Sequence, residues 1–280
     1  MVTLSKLAHL ALSQAPENLR NYLRRRLNPN YPPESMSGLY REDHSKHGIE
    51  AWDIGQLFSN HDGHETVKWS QYFEAYDRFL GPRRNGILES SGVRRPTRLL
   101  EIGVREGGSL QVLQDYFGTN GQIVGIDIDI RCQKIDVSPA QIRIGDQSDR
   151  EFLLSVTREF GSPDIVIDDG SHLPKHQMAS FETLWQQLNP GGIYIVEDLH
   201  TSYWREFGGG YGKKSGFIEF VKDAIDGMHG WYSRHKMTER GAFAKTEVKA
   251  ITVFDSLVVF EKTRSRRPES LRFGRPRTFR

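Results

Sequence analysis

The chain reads as an α/β protein built on a doubly wound, mostly parallel sheet, with an antiparallel C-terminal strand and an N-terminal helical extension. Three observations predict this. Short runs rich in Ile and Val alternate with helical-period segments between about residues 98 and 196, the pattern of βαβ units. Two of these runs stop abruptly at acids, Ile-Val-Ile-Asp168-Asp169-Gly170-Ser171-His172 and Tyr-Ile-Val-Glu197-Asp198-Leu199-His200. Buried parallel strands end this way where the carboxyl edge of an open sheet forms a ligand site. Near the C-terminus, two apolar runs flank Asp255-Ser256, an antiparallel pair that closes the sheet.

Taken in order, residues 1–30 place Leu4, Leu7, Ala8, Ala11 and Leu12 at helical spacing, followed by Arg20, Arg24, Arg25 and Arg26. Residues 28–65 are rich in Pro, Asn, Gly, Ser and His without periodicity and read as loop or lid. A helix from Val67 carries Tyr72, Phe73, Tyr76, Phe79 and Leu80 on one face and ends at Gly81-Pro82. Strands are expected at 98–102, 123–128, 141–144, 164–167 and 193–196, with helices over 110–117 and 150–160. Another helix carries Met178, Phe181, Leu184, Trp185 and Leu188, and the final strand pair falls at 251–254 and 257–261. The resulting domains are 1–66 (cap or assembly segment), 67–262 (the α/β body) and 263–280, an Arg-rich tail too poor in apolar residues to fold alone.

Composition narrows the function classes. A formal charge of +2 over 280 residues announces no nucleic-acid binder, and Cys132 is the sole cysteine, which excludes internal disulfides and thiolate-rich zinc sites. No run approaches the roughly 20 apolar residues of a membrane span. Lys6 and His9 interrupt the N-terminal apolar patch, so a secretion signal is not expected and a cytoplasmic location is.

The chemistry concentrates at the strand ends. The first strand leads into Leu99-Leu100-Glu101-Ile102-Gly103-Val104-Arg105-Glu106-Gly107-Gly108-Ser109. Gly103 and Gly107 let backbone pass close to a ligand. The turn lacks Gly-x-Gly-x-x-Gly, and Glu101 with Arg105 suits a ligand bearing an amine and a carboxylate better than a pyrophosphate. Asp127 stands where an acid can grip ribose hydroxyls, and Gly145-Asp146-Gln147 suits an adenine edge. Side by side, the two acid-ended strands would gather Asp168, Asp169, Glu197 and Asp198 with His172 nearby. Oxygen ligands in that concentration call for a hard divalent cation.

These motifs resemble the class I S-adenosylmethionine-dependent methyltransferases, over about residues 98–262, whose fold is Rossmann-like. The pair of acidic clusters, the second continuing as Thr201-Ser202-Tyr203-Trp204, resembles more narrowly the metal-dependent sugar O-methyltransferases of macrolide and polyketide tailoring, the mycinamicin and rhamnosyl type. The resemblance implies magnesium held by Asp169, Glu197 and Asp198, and His172 as general base. It also assigns Glu101, Asp127 and Asp146 to S-adenosylmethionine, joined on the cofactor side by Gly103, Gly107, Ser109, Gln147 and Asp168, the last supporting the site from its strand. The acceptor it implies is a sugar hydroxyl on a secondary metabolite or glycan. A sugar hydroxyl does not ionise at neutral pH, so a bound cation and an imidazole within reach are what its deprotonation needs.

Other readings stand beside these. A catechol-type O-methyltransferase also uses carboxylates and magnesium, but a phenolic acceptor needs less of a base. A nucleic-acid-associated protein would use the basic tail. His200, Tyr203 and Trp204 either touch the acceptor or pack under a loop, and 207–214 is either a lid or a linker. His44-x-x-His47 and His61-x-x-His64 read as surface histidines, His176 as a solvated helix residue, and the stripe from Tyr72 to Phe79 as core. The amphipathic N-terminus suggests a homo-oligomer.

Overall fold

The computed structural model describes residues 48–235 and 237–274. The expected N-terminal helix, the arginine run 24–26 and the pair His44 and His47 lie outside the described residues. Part of the segment expected as loop is ordered. A 3-10 turn, Ile49–Ala51, leads into α1 (Asp53–Ser59), and Ile49 and Ile54 are buried in the same cluster as Tyr72, Phe73 and Tyr76. The body therefore begins before residue 67. Next come α2 (Tyr72–Leu80) and a two-stranded ribbon of β1 (Ile87–Leu88) and β2 (Arg94–Arg95).

The alternating units follow: β3 (Thr97–Ile102), α3 (Gly108–Phe117), β4 (Gly121–Asp127), β5 (Gln141–Ile144), α4 (Arg150–Phe160), β6 (Ile165–Asp168), α5 (Pro174–Gln187) and β7 (Ile193–Val196). Then come α6 (Phe217–Met228), α7 (Ala244–Glu247), β8 (Val248–Phe254) and β9 (Leu257–Lys262). The sheet has seven strands in the order β5-β4-β3-β6-β7-β9-β8, parallel up to β7 and antiparallel at β9 and β8. The doubly wound reading is borne out, and its strand ends fall within a few residues of those expected. The helix α6 escapes the sequence reading, although Phe217, Phe220, Val221 and Ala224 mark its buried face at helical spacing.

Alternation along the strands sorts the core into two layers. Leu99, Ile123, Ile165, Ile167, Ile193 and Ile195 face α1, α2 and α3, while Leu100, Ile102, Val124, Ile126, Val166 and Tyr194 face α4, α5 and α6. Burial on both faces is why these strands read as unbroken apolar runs. The chain leaves β3 towards β4 on one side and returns through β6 on the other, so the topological switch point lies between β3 and β6, with Ile102 in register with Asp168. Beyond β9, residues 263–274 form neither helix nor strand. Among the described residues no helix is long and apolar enough to cross a membrane.

Candidate active site

At the switch point the chain crosses close behind two strand ends. Gly103 has φ +96°, and a Cβ there would lie 2.2 Å from the carbonyl oxygen of Asp169, so only glycine lets the two loops meet. Three non-glycine residues around this edge, Arg105, His172 and Asp198, sit in the left-handed region at φ 53°, 55° and 55°. Such backbone costs on the order of 1–3 kcal/mol per residue and gathers where a site dictates side-chain direction.

Asp169 and Asp198 each turn one oxygen towards the interior and the other towards His172. Asp169 Oδ2 accepts from Lys68 Nζ at 2.6 Å, and its Oδ1 lies 4.0 Å from His172 Nε2. Asp198 Oδ1 accepts from the Tyr72 hydroxyl at 2.8 Å and Trp69 Nε1 at 3.1 Å, and its Oδ2 lies 3.5 Å from His172 Nε2. One oxygen from each acid and the His172 imidazole thus converge on an outer corner, with ligand atoms within 4.8 Å of one another. His172 Nδ1 is buried without a hydrogen-bond partner among the described residues.

Glu197, expected beside Asp169 and Asp198, is turned inward. Its Oε2 accepts from Lys68 Nζ at 2.9 Å and its Oε1 from the Tyr76 hydroxyl. Burial, with the charge of Asp169 adding, pushes the Glu197 carboxyl up to about 8 against the opposing pull of Lys68. Burial alone would lower Lys68, but Asp169, Glu197 and Glu101 around it raise it well above the ordinary lysine value. Lys68, Tyr72 and Tyr76 were not read as site residues from sequence. The available signal was the pair of tyrosines one turn apart on an otherwise apolar face, each carrying a hydroxyl that a core position must satisfy.

On the cofactor side, Glu101 has no exposed surface. Its Oε1 accepts from Ser109 Oγ at 2.6 Å, and its Oε2 has no hydrogen-bond partner among the described residues. Burial raises its carboxyl above the usual carboxylate value, with Lys68 and Ser109 opposing. Asp127 Oδ2 accepts from the amides of Val104 and Arg105 at 2.9 and 3.0 Å, fixing the turn that contains Gly103 and leads to Gly107. Asp146 Oδ1 accepts from Ser148 N and Oγ, both at 2.8 Å.

Two residues expected on the cofactor side, Asp168 and Gln147, are buried and hydrogen-bonded to each other. Asp168 is wholly buried and accepts from Ser180 Oγ at 2.5 Å, Gln147 Nε2 at 3.1 Å and the Tyr194 hydroxyl at 3.2 Å. Gln147 Oε1 accepts from Ser171 N at 2.7 Å. A buried carboxylate requires several donors, and Gln147, Ser180 and Tyr194 supply them to Asp168 behind the 169–172 loop.

His200 Nδ1 lies 2.5 Å from Ser256 Oγ, and its ring packs edge-on against Trp69 and Trp204 at 5.6 and 4.7 Å. Trp204 in turn meets Phe207, and Phe207 lies 6.2 Å from the His172 ring. The glycine stretch that follows is pinned by Gly209 N to Trp204 O and Gly210 N to Ser202 O, both at 2.8 Å. Tyr203 is about half exposed. His61 Nε2 and His64 Nε2 contact backbone oxygens of His64 and Asp136, and His176 Nδ1 meets Ser171 Oγ at 3.0 Å. Burial pushes the Cys132 thiol up to about 12, leaving it inert.

Residues 100–199 match the family model described as "Methyltransferase domain". The chain is 39% identical over 165 residues to the mycinamicin VI 2''-O-methyltransferase of Micromonospora griseorubida, covering 54% of this chain and 38% of that protein. It is 32% identical over 227 residues to the 8-demethyl-8-(2-methoxy-alpha-L-rhamnosyl)-tetracenomycin-C 3'-O-methyltransferase of Streptomyces olivaceus, covering 76% of this chain and 54% of that one. Among solved structures, the MycE methyltransferase of the mycinamycin biosynthetic pathway, in complex with Mg, SAH and mycinamycin VI, aligns with a TM-score of 0.64 at 30% identity, over 76% of this chain and 54% of its own. The chain spans about half the length of the curated relatives it matches. The resemblance to methyltransferases read from the sequence, and its narrower form towards sugar O-methyltransferases, are both borne out.

Proposed function

We propose that this chain transfers a methyl group from S-adenosylmethionine to a hydroxyl of a sugar on a secondary metabolite or glycan, with the help of a divalent metal. The observation that carries the reading is the outer corner at the switch point, where Asp169, Asp198 and His172 converge beside the turn after β3. Carboxylate oxygens suit a small, hard divalent cation, with the imidazole standing beside them, and magnesium is the ion in the complex of the similar MycE. Asp169 and Asp198 would hold it, and when bound it supplies the charge that makes a hydroxyl a better acid. The buried, unpartnered Oε2 of Glu101 fits an ammonium donor such as the amino group of the cofactor.

The remaining work falls to the chain's own side chains. His172 takes the hydroxyl proton, with Nε2 held towards the corner by a strained backbone. Asp127 keeps the cofactor turn in shape through the amides of Val104 and Arg105. Trp204 and Phe207 wall the side next to His172 and reduce access of water. The methyl group of a sulfonium is already electrophilic, so in-line positioning is the rest of the task. A cytoplasmic setting belongs to the same reading, supported by a lone, buried thiol.

The test is incubation of the full chain with isotopically labelled S-adenosylmethionine and a panel of glycosylated and phenolic acceptors, with and without chelator. A glycoside should gain one labelled methyl group, and chelation should stop it. Absence of cofactor binding by calorimetry, or transfer indifferent to chelation, would overturn the reading.

A further inference from the structure

Beyond β9 the charge of the chain changes sign. Residues 263–280 hold seven arginines against one acid, Glu269, while the whole chain carries a net charge of only +2, so the remainder of the protein is net negative. Arg264, Arg266, Arg267 and Arg272 are exposed, and none of the four is paired with a carboxylate among the described residues. Leu271 and Phe273 flank Arg272 and are 70% and 85% exposed. Apolar side chains held out among unneutralised guanidiniums are the make-up of a segment that works at an interface. Its root is fixed on the body: Thr263 N donates to Glu247 O at 2.8 Å and Ser265 N to Thr246 O at 2.7 Å. Lys262 N donates to Gly192 O at 2.8 Å, just ahead of β7, whereas Asp169, Glu197 and Asp198 follow the other ends of β6 and β7. The segment therefore leaves the sheet at the end opposite the acidic edge.

We propose that this arginine segment docks the protein on an anionic lipid surface. Arg264, Arg266, Arg267 and Arg272 meet the lipid phosphates, each arginine near the surface contributing about fivefold to partitioning. Leu271 and Phe273 enter the headgroup region, which charge alone does not explain. A nucleic acid would use the same guanidiniums, but its phosphate backbone has no place for Leu271. The net negative remainder of the chain is repelled by the same surface, so attraction is confined to the segment and docking leaves the acidic edge uncovered.

Sedimentation of the full chain with vesicles of phosphatidylcholine containing about a third phosphatidylglycerol, without cofactor or acceptor, tests it. The chain should bind these vesicles, bind pure phosphatidylcholine at least ~10-fold more weakly, and be released by salt. A variant combining Arg264→Gln, Arg266→Gln, Arg267→Gln and Arg272→Gln should bind at least ~100-fold more weakly with its melting midpoint unchanged, because these side chains are exposed and unpaired. Leu271→Ser with Phe273→Ser should weaken vesicle binding by ~10-fold and keep its salt dependence. No binding to the anionic vesicles, binding retained in the four-arginine variant, or binding indifferent to the Leu271 and Phe273 substitutions would overturn the inference. So would a competition in which duplex DNA or RNA captures the chain in preference to vesicles.

Discussion

Asp168 has no exposed surface, while the side chain of its neighbour Asp169 is about a fifth exposed. The strand period of two turns them to opposite sides, and their chemistry follows. Asp168 braces the loop that presents His172, through Gln147, Ser180 and Tyr194. Asp168→Ala would leave those donors unpaired in the core, so it should lower unfolding free energy by about 3 kcal/mol in a denaturant titration. The function proposed above gives His172 a part in the chemistry instead. His172→Ala should cut turnover on a glycoside by ~100-fold or more while manganese still binds, measured in steady-state assays alongside a manganese titration followed by paramagnetic resonance. A mild effect would favour a phenolic acceptor.

At the level of elements, α2 joins core and site. Its apolar residues Phe73, Ala75, Phe79 and Leu80 are buried with the sheet, as the stripe predicts. The same face carries Tyr72 and Tyr76, whose hydroxyls reach Asp198 and Glu197 at the end of β7. Tyr72 both donates to Asp198 Oδ1 and accepts from Asp198 N at 3.0 Å, fixing a residue whose backbone is left-handed. Tyr72→Phe keeps the packing and removes both bonds. It should cost about 1–2 kcal/mol of stability and weaken manganese binding, as thermal melts with and without the ion would show. The hairpin of β8 and β9 contributes at this scale too, since its turn residue Ser256 contacts both Tyr72 and His200.

For the whole molecule, the switch point between β3 and β6 concentrates acids, and that has a cost in pH dependence. Glu101, Asp168 and Glu197 are all raised, chiefly by burial. A carboxyl raised in the folded state binds its proton more tightly there than in the unfolded chain. Between the ordinary value of 4.5 and about 8 for Glu197, the folded state therefore holds the extra proton, and stability falls as pH rises through that window. In metal-free protein the melting midpoint of Glu197→Gln should accordingly vary less with pH over this range than that of the unsubstituted chain. Paired melts in buffers across the window check the difference, and parallel slopes would contradict it.

Strand alternation, turn residues and the two acid-ended runs were enough to specify the doubly wound sheet, because burial on both faces leaves a one-dimensional signature in the chain. They also located Asp169, Asp198 and His172 near one sheet edge, since strand ends are local features. The inward turn of Glu197, the mutual bracing of Asp168 and Gln147, and the place of Lys68 were settled only in three dimensions. Lys68 meets carboxylates 101 and 129 residues further along the chain. Which acid a buried ammonium or hydroxyl satisfies depends on how the elements pack, and no spacing along the sequence encodes that choice.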